Sequence, residues 1–293
     1  MKQNTAQNYR QRLIRVIDYI YNNLDASLDV NTLANIALMS PYHFHRIYRL
    51  MCHETVNATV RRLRLQRAAA HLIRDQRPLS EIANQLSYSS LEAFSRAFTK
   101  EFGESPSLYR RSRQDKGSHE EKPYIAMLPL AERPSSEEYQ VDILHLDEIQ
   151  LAAYPHHGDY LEIGAAFERL SIYASSIGLS NASSRSFGIY YNDPDSTDMT
   201  ELRSHACMDI NTTTKLPGEN PPQKITIPKG RYASLLFKGS YAELEKPYNW
   251  LFGYWLSSSG YEAGDFPPVE EYLNNVQDTP PNELLTRIHC LIE

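Results

Sequence analysis

Apolar residues fall at three- and four-residue steps in Leu13, Val16, Ile17, Ile20 and Leu24, which predicts an amphipathic helix over about residues 8–23. Leu33, Ala34 and Ala37 predict a short helix ending near Leu38. Ser40-Pro41 then reads as a helix start, Ser at the N-cap and Pro at the first helical position. The helix that follows turns Phe44, Ile47 and Tyr48 inward and leaves Tyr42, His45, Arg46 and Arg49 outside. About fifty residues on, the pattern recurs: Thr32-Leu33-Ala34-Asn35 with Phe44-His45-Arg46-Ile47-Tyr48 parallels Glu81-Ile82-Ala83-Asn84 with Phe94-Ser95-Arg96-Ala97-Phe98. In the second copy Ser80 is expected to cap a helix through Leu86, and Ser89 or Ser90 the next. Phe94, Phe98 and Phe102 point inward there, and Glu92, Ser95, Arg96 and Lys100 outward. Between the copies, residues 57–74 read as one helix through Val60, Leu63, Leu72 and Ile73.

A polar stretch containing Asp115-Lys116-Gly117-Ser118 and Glu132-Arg133-Pro134-Ser135 predicts a linker at 113–137, between domains at 1–112 and 138–293. Within it, Tyr124–Leu130 is apolar enough to dock on a neighbour. Beyond it the chain repeats at a spacing of 81–82 residues. Gly158-Asp159-Tyr160-Leu161-Glu162 parallels Gly239-Ser240-Tyr241-Ala242-Glu243, and Tyr190-Tyr191-Asn192-Asp193 parallels Tyr272-Leu273-Asn274-Asn275. Each copy reads strand, helix, strand, strand. The strands are placed at 149–156, 186–191 and 203–210, then 230–238, 267–274 and 284–292. The helices are placed at 160–177 and 241–256, the second bent by Pro247. Two such units about a pseudo-twofold axis make one sheet with helices on one face. The expected fold is therefore multidomain: an all-α double helix-turn-helix domain followed by an α+β domain of duplicated strand-helix-strand-strand units.

The strand period of two puts Val269, Glu271 and Leu273 on one face and Glu270, Tyr272 and Asn274 on the other. With the apolar pair against the helices, Glu270 and Tyr272 fall on the open side, joined by Gly188, Tyr190 and Asn192 of the first copy. Trp250 and Tyr254, one helical turn apart, add aromatic surface if the second helix borders that cleft.

The net charge of −6 hides a division: residues 1–116 carry 18 Lys+Arg against 10 Asp+Glu, and the rest 12 against 26. A basic front and an acidic back imply different partners for the two halves. The three cysteines, Cys52, Cys207 and Cys290, are too few and too scattered for a disulfide framework. The N-terminus lacks an apolar signal core, and no run approaches the roughly 18 apolar residues of a membrane span. A cytoplasmic protein without a membrane partner is expected.

Two helix-turn-helix units in one polypeptide can read successive major-groove faces of double-stranded DNA without dimerising, although a dimer is left open. Arg46 and Arg96 occupy equivalent places in the two units. An Arg bidentate to guanine supplies about 1–3 kcal/mol of discrimination. Glu92 either accepts from cytosine or restrains nearby arginines, and His45 either bonds a base or phosphate or is simply exposed. The intervening 18-residue helix spans roughly 27 Å at 1.5 Å per residue, against about 34 Å between successive groove faces. Its Arg61, Arg62, Arg64 and Arg67 are candidate phosphate contacts. In the back half, a carboxylate among aromatic faces attracts a lipophilic cation, at about 0.5–2 kcal/mol per ring contact. The alternative, a solvated Glu270 beside core aromatics, stays open on the residues alone.

The ending Phe102-Gly103-Glu104-Ser105-Pro106-Ser107-Leu108-Tyr109-Arg110 resembles the signature that closes the AraC/XylS-type DNA-binding domain. Both units, the linking helix and this ending occur in order over roughly residues 8–112. The resemblance implies two recognition helices in adjacent major grooves of an asymmetric site, and activation of transcription through contact with RNA polymerase. By position, Tyr42, His45, Arg46, Glu92, Ser95 and Arg96 match reading positions, with Arg49 and Lys100 completing the DNA-binding set. His53 stands where the second copy has Gly103, so the first unit is expected to close its recognition helix differently.

Phe187-Gly188-Ile189-Tyr190-Tyr191-Asn192-Asp193-Pro194, Glu201-Leu202-Arg203 and Glu270-Glu271-Tyr272-Leu273-Asn274 resemble the GyrI-like (SHS2-type) effector-binding domain, over about residues 138–293. That resemblance implies a cleft for drug-like molecules with Glu270 as cation partner, and Glu271 as the fallback if the strand is turned over. The candidate ligand set is Glu270, Tyr272, Tyr190, Trp250 and Tyr254. An AraC-type front joined to a GyrI-like back resembles the Rob-type regulators, and the expected function is a transcription regulator answering a small cationic or amphipathic effector.

Two rival readings remain. Some GyrI-like proteins are hydrolases, and Glu270 would then be a general base. However, the chain carries no Gly-x-Ser-x-Gly elbow, no phosphate loop and no acid-base pair, so no catalytic residue and no enzyme is expected. The back half would otherwise bind a protein or stabilise the front. His156, His157, His205, His289, Cys207 and Cys290 match no metal-ligand spacing, and neither a metal nor a cofactor is expected.

Overall fold

The computed structural model describes residues 2–74, 76–114, 139–179 and 184–293. The linker reading at 113–137, with the apolar segment 124–130, lies outside them from residue 115 onward.

Among the described residues, seven helices form the front: α1 (Lys2–Asn22), α2 (Val30–Ala37), α3 (Pro41–Cys52), α4 (Val56–Arg74), α5 (Leu79–Gln85), α6 (Leu91–Phe102) and α7 (Pro106–Gln114). The two helix-turn-helix units, α2–α3 and α5–α6, are built alike. Leu38 and Ser87 take the left-handed conformation at the turn (φ 52° and 60°). The amides of Met39 and Tyr88 return to the carbonyls of Ala34 and Ala83, each at 3.0 Å. Leu38 and Ser87 are 49 positions apart but the caps Ser40 and Ser90 are 50, so the second turn is one residue longer. Ser40 accepts from the Tyr42 amide and Ser90 from the Ala93 amide, as the N-cap rule requires. Ser80 does not cap. Helix α5 already begins at Leu79, after Pro78, which has no side-chain cap to offer.

The end of α3 also departs from expectation. His53 adopts the left-handed conformation (φ 56°, ψ 20°), as Gly103 does after α6 (φ 75°). Both recognition helices therefore close the same way, and the first carries a side chain where glycine is the unstrained choice. Beyond Gly103, helix α7 lays Tyr109 against Phe98 and Phe102, each at 5.2 Å, which is what the closing motif accomplishes structurally.

The described residues of the back half build one curled antiparallel sheet of eight strands: β1 (Val141–Leu146), β2 (Ile149–His157), β3 (Ser186–Tyr190), β4 (Arg203–Ile210), β5 (Gln223–Ile227), β6 (Gly230–Lys238), β7 (Val269–Tyr272) and β8 (Leu285–Ile292). Their order is β1-β6-β8-β7-β3-β4-β2-β5. The duplication is plain in that order, since β7 and β3 meet at the centre and each half's first strand crosses to the other's edge. These exchanged strands, β1 and β5, are absent from the sequence reading; as thin edge strands they alternate only weakly. Asn192 and Asn274 hold the two copies in the same form, accepting from the amides of Arg203 and Leu285 at 3.0 and 2.9 Å.

Helix α8 (Gly164–Ser176) covers β2 and β4. The second helix is α9 (Glu245–Asn249), a π-helical stretch at Trp250–Trp255, and α10 (Leu256–Ser259). In the π stretch the Leu256 amide bonds back to Leu251, five residues earlier. The irregularity expected at Pro247 thus falls just after it. One core joins the two halves. Leu13, Val16, Phe44, Ile47 and Leu63 of the front cluster with Ala233, Leu235, Leu251, Phe252 and Ile288 of the back. A separate core, including Leu72, Ile82, Phe94 and Phe98, supports the second unit.

Candidate effector cleft and DNA-reading surfaces

Glu270 lies on the central strand β7, paired with Gly188 of β3 and Ile288 of β8. Cross-strand partners share a face, and Ile288 belongs to the core beneath the second helix. The Glu270 face is therefore the helical face. This corrects the expectation of an open side. Glu270, Tyr272, Gly188 and Tyr190 do share a face, but it is the one on which the helices sit. Val269 and Glu271 point the other way, and Val269 packs there with Phe187, Ile189 and Leu151 inside the curl of the sheet. The apolar pair could not decide the matter because both faces of this sheet are buried.

The Glu270 cluster thus lies over β3 and β7, with Tyr248 of the second helix bonded to Glu270 and Phe167 of α8 packed on Tyr272. Glu270 is only 3% exposed. One of its oxygens accepts from the Tyr248 hydroxyl at 3.0 Å and the other from Tyr272 at 2.9 Å. The hydroxyls of Tyr190 and Tyr272 bond each other at 2.7 Å. Burial pushes the Glu270 carboxyl up to about 7, against the downward pull of the two phenols and of Arg46. Tyr160 packs on Tyr190, with centroids 4.8 Å apart, and Phe167 and Tyr241 pack on Tyr272 at 5.6 and 5.3 Å. Gly188 makes this possible: a Cβ there would come within 2.7 Å of the Tyr272 hydroxyl and of the Tyr190 ring.

Glu271, the fallback residue, is held by Arg185 at 2.8 Å, His289 at 3.3 Å and Arg287 at 3.7 Å. Although burial alone would raise it, His289 and Arg185 bring it down to about 2. Trp250 and Tyr254 do not line the Glu270 cleft as expected. Trp250 packs on Tyr139 at 5.9 Å, toward Phe237 of β6, and on Tyr254. The helix presents a different pair, Tyr248 and Phe252, stacked at 5.9 Å. Both pairs have the four-residue spacing, so sequence alone could not choose between two stripes offset by two residues.

The DNA-reading candidates divide sharply. On α6, Glu92, Arg96 and Lys100 are exposed and Ser95 half-buried, in keeping with an outward face. On α3 the expectation fails for Arg46, which is 4% exposed. Its guanidinium carbon lies over the rings of Tyr248, 4.6 Å from the centroid, and Phe252, at 4.9 Å. Asp193, itself buried, faces it at 4.0 Å. Arg49 binds Asp193 at 3.3 Å, Asp195 at 2.6 Å and Asn249 at 3.2 Å. Burial would raise the Asp193 carboxyl, yet Arg46 and Arg49 hold it low. Tyr42 packs near Tyr191 at 6.1 Å, and His45 is half-buried. The physical reason is the packing of α3 on the second helix, where Gly253 lets Leu50 approach to 3.3 Å of the position a Cβ would take.

Further contacts seal the same seam. Arg12 forms a two-pronged pair with Glu262, at 2.8 and 2.9 Å. Ser40 donates to Asp265 at 2.9 Å, and His43 donates to the Phe266 carbonyl at 3.0 Å while stacking on Phe252. The arginines of α4 are also engaged: Arg62 pairs with Glu54, Arg64 donates to the carbonyls of Leu24 and Ala26, and Arg67 donates to Tyr21. Arg61 is exposed. Sequence reasoning misses Asp193, Tyr248, Phe252 and His43 as functional candidates. The one available signal is Asp193, an acid beside the repeated Tyr-x-Asn motif.

Comparison with known proteins agrees with this architecture. Residues 139–291 match the GyrI-like small molecule binding domain and residues 33–112 a helix-turn-helix domain. The regulatory protein SoxS of Salmonella typhimurium is 33% identical over 103 residues, 35% of this chain and 96% of SoxS. The right origin-binding protein of Escherichia coli K12 is 34% identical over 94 residues, 32% of each chain. Among solved structures, the EcmrR-DNA complex covers 90% of this chain and 98% of that one at 13% identity and TM-score 0.43. The DNA-binding domain of AdpA bound to target DNA covers 36% of this chain and 97% of that one, at 28% identity and TM-score 0.34. The chain belongs to the AraC-type helix-turn-helix regulators that carry a GyrI-like domain. It is a DNA-binding transcription regulator. Among the described residues, no helix is long and apolar enough to cross a membrane, and no three His, Cys, Asp or Glu gather as a metal site.

Proposed function

We propose that the cleft floored by Glu270 binds a small cationic or amphipathic effector, and that α3 and α6 read the two halves of an asymmetric DNA site. The observation that carries the first part is the state of Glu270: a buried carboxylate whose described hydrogen bonds come from two phenols and none from a cation. Phenols soften the cost of burying the charge without cancelling it. A ligand cation between the surrounding rings would add both Coulomb attraction and ring-quadrupole contact. Tyr190, Tyr272, Tyr248 and Tyr160 are the contacts this reading assigns; Trp250 and Tyr254 are left out of it.

For DNA, the exposed Glu92, Arg96 and Lys100 of α6 support a reading face, with Ser95 between them. Tyr42, His45, Arg46 and Arg49 are the matching set on α3 once that face is uncovered. Recruitment of RNA polymerase, as an activator acting from domains divided at 113–137, completes the proposal by family resemblance. A thermal-shift screen of the full chain with organic cations tests the cleft. Stabilisation that Glu270→Gln abolishes supports it, whereas stabilisation by anions, or none by any cation, contradicts it. A Glu270 carboxyl near 7 also suits a general base, so the same screen followed for product formation separates binding from turnover.

A further inference from the structure

We infer that Arg46 is an internal stand-in for the effector: its guanidinium occupies the cation seat of the cleft, so a cationic effector and the docked α3 exclude one another. This rests on the cation-binding reading of Glu270 and adds its regulation. One side chain then serves two sites, as a base reader on DNA and as a plug when the domains are docked.

The geometry carries the argument. The Arg46 guanidinium is stacked at 4.6 and 4.9 Å over Tyr248 and Phe252, and the Tyr248 hydroxyl donates to Glu270. That is the arrangement an aromatic site offers a ligand cation, here filled from within the chain. The charge of Arg46 is felt on both sides of the cleft and at its floor: burial raises Tyr160, Tyr248 and Glu270, and Arg46 pulls all three down.

The plug is also imperfectly satisfied. Arg46 is 4% exposed, its Nη1 is buried without a hydrogen-bond partner, and its ion pair with Asp193 is long at 4.0 Å. A guanidinium has five N–H donors, and leaving the two on Nη1 buried and unpaired costs free energy. A free cation has no helix attached and can settle closer to Glu270 than Arg46 does, so it is able to displace the side chain.

Displacement has a consequence for DNA. With Arg46 seated, Arg49 is tied to Asp193, Asp195 and Asn249, and Tyr42 lies by Tyr191, so the reading face of α3 is covered by protein. A recognition helix in the major groove needs that face open. The second unit, on its own core, keeps Glu92, Arg96 and Lys100 of α6 exposed. Docked, the chain offers DNA one reading helix; with effector in the seat, it offers two. The apparent affinity of the effector is reduced by the fraction of chains with an empty seat, so unseating Arg46 tightens it.

The test is a titration of benzamidinium, a planar aryl cation, into the full chain by calorimetry. Arg46→Ala is expected to bind it about tenfold tighter than wild type, or ~1.4 kcal/mol. Gly253→Leu keeps Arg46 but wedges Leu50 away, and is expected to tighten binding as well. Glu270→Gln weakens it in every background. Equal affinity in wild type, Arg46→Ala and Gly253→Leu, with Glu270→Gln still weaker, overturns the plug and leaves the cleft reading intact. No binding by any variant overturns both. Where a variant fails to fold, amide exchange in the wild type decides: benzamidinium should speed exchange over residues 41–52, and unchanged protection contradicts the inference.

Discussion

The guanidinium of Arg46 stacks on the ring of Tyr248, 4.6 Å from its centroid, and the hydroxyl of that ring donates to Glu270. A residue of the first recognition helix is thereby two contacts from the carboxylate at the floor of the proposed effector site. The relation is short enough to need no extended pathway: in the proposed coupling, occupancy of the seat and position of the helix meet at one ring. The seam around it is a merged apolar core edged by Arg12–Glu262, Ser40–Asp265 and His43–Phe266, so docking is a packed state of the chain.

Stability should fall as pH rises through the Glu270 titration. Its folded carboxyl is raised to about 7 from an ordinary 4.5. The stabilising proton is fully present below about 4.5 and lost on the way to 7. Each tenfold gain in proton affinity on folding is worth about 1.4 kcal/mol, so roughly 3 kcal/mol is lost in all. His43, lowered to about 4 by burial and Arg46, acts oppositely between about 4 and 6.5. The readout is therefore the difference between denaturation curves of wild type and Glu270→Gln, which should widen in favour of the variant from pH 4.5 to 7. A constant difference contradicts the assignment.

Glu271 should behave as the mirror image of its neighbour. Held down to about 2 by His289 and Arg185 despite burial, it contributes stability that is present above about 4.5 and lost as pH falls toward 2. Glu271→Gln should therefore be less stable than wild type at pH 6, with the gap closing toward pH 2, as urea denaturation at each pH would register.

Gly188→Ala should damage the cleft before it damages the fold. The added Cβ meets the Tyr272 hydroxyl and the Tyr190 ring at 2.7 Å, so the two phenols must move from their shared hydrogen bond. Overpacking of this kind costs about 1–3 kcal/mol. Calorimetry on the folded variant should show weakened benzamidinium binding, and full affinity would exclude the tyrosine pair from the site.

His53→Gly should stabilise the first unit. His53 sits at φ 56° with a side chain that resists this region, whereas Gly103 fills the equivalent place in the second unit. Relief of about 1 kcal/mol is expected in chemical denaturation. A loss of stability would mean that the imidazole makes a compensating contact.

Much of this architecture is legible in the chain. Ser40-Pro41, the fifty-residue repeat and the 81–82-residue repeat each follow from local rules, and the structure realises them in α3, α6 and the paired Asn192 and Asn274. The failures share a cause. Arg46 reads as outward because a helix face carrying arginines usually meets solvent, but burial against another domain leaves no local trace. The face of Glu270 comes out reversed because Val269 and Leu273 imply one buried side, while the curled sheet buries both. Trp250 competes equally with Tyr248 because the π-helical stretch, which changes the facing of the helix, has no signature in an aromatic four-residue spacing.

The decisive measurement is the affinity of the full chain for a duplex it selects from a random pool, with and without saturating benzamidinium. Coupling through the Arg46 seat predicts tighter DNA binding with the cation present, and by linkage an equal tightening of the cation by DNA. Arg46→Ala should bind the cation yet show no coupling. Unchanged or weaker DNA binding by the wild type, with benzamidinium demonstrably in the cleft, would contradict the account.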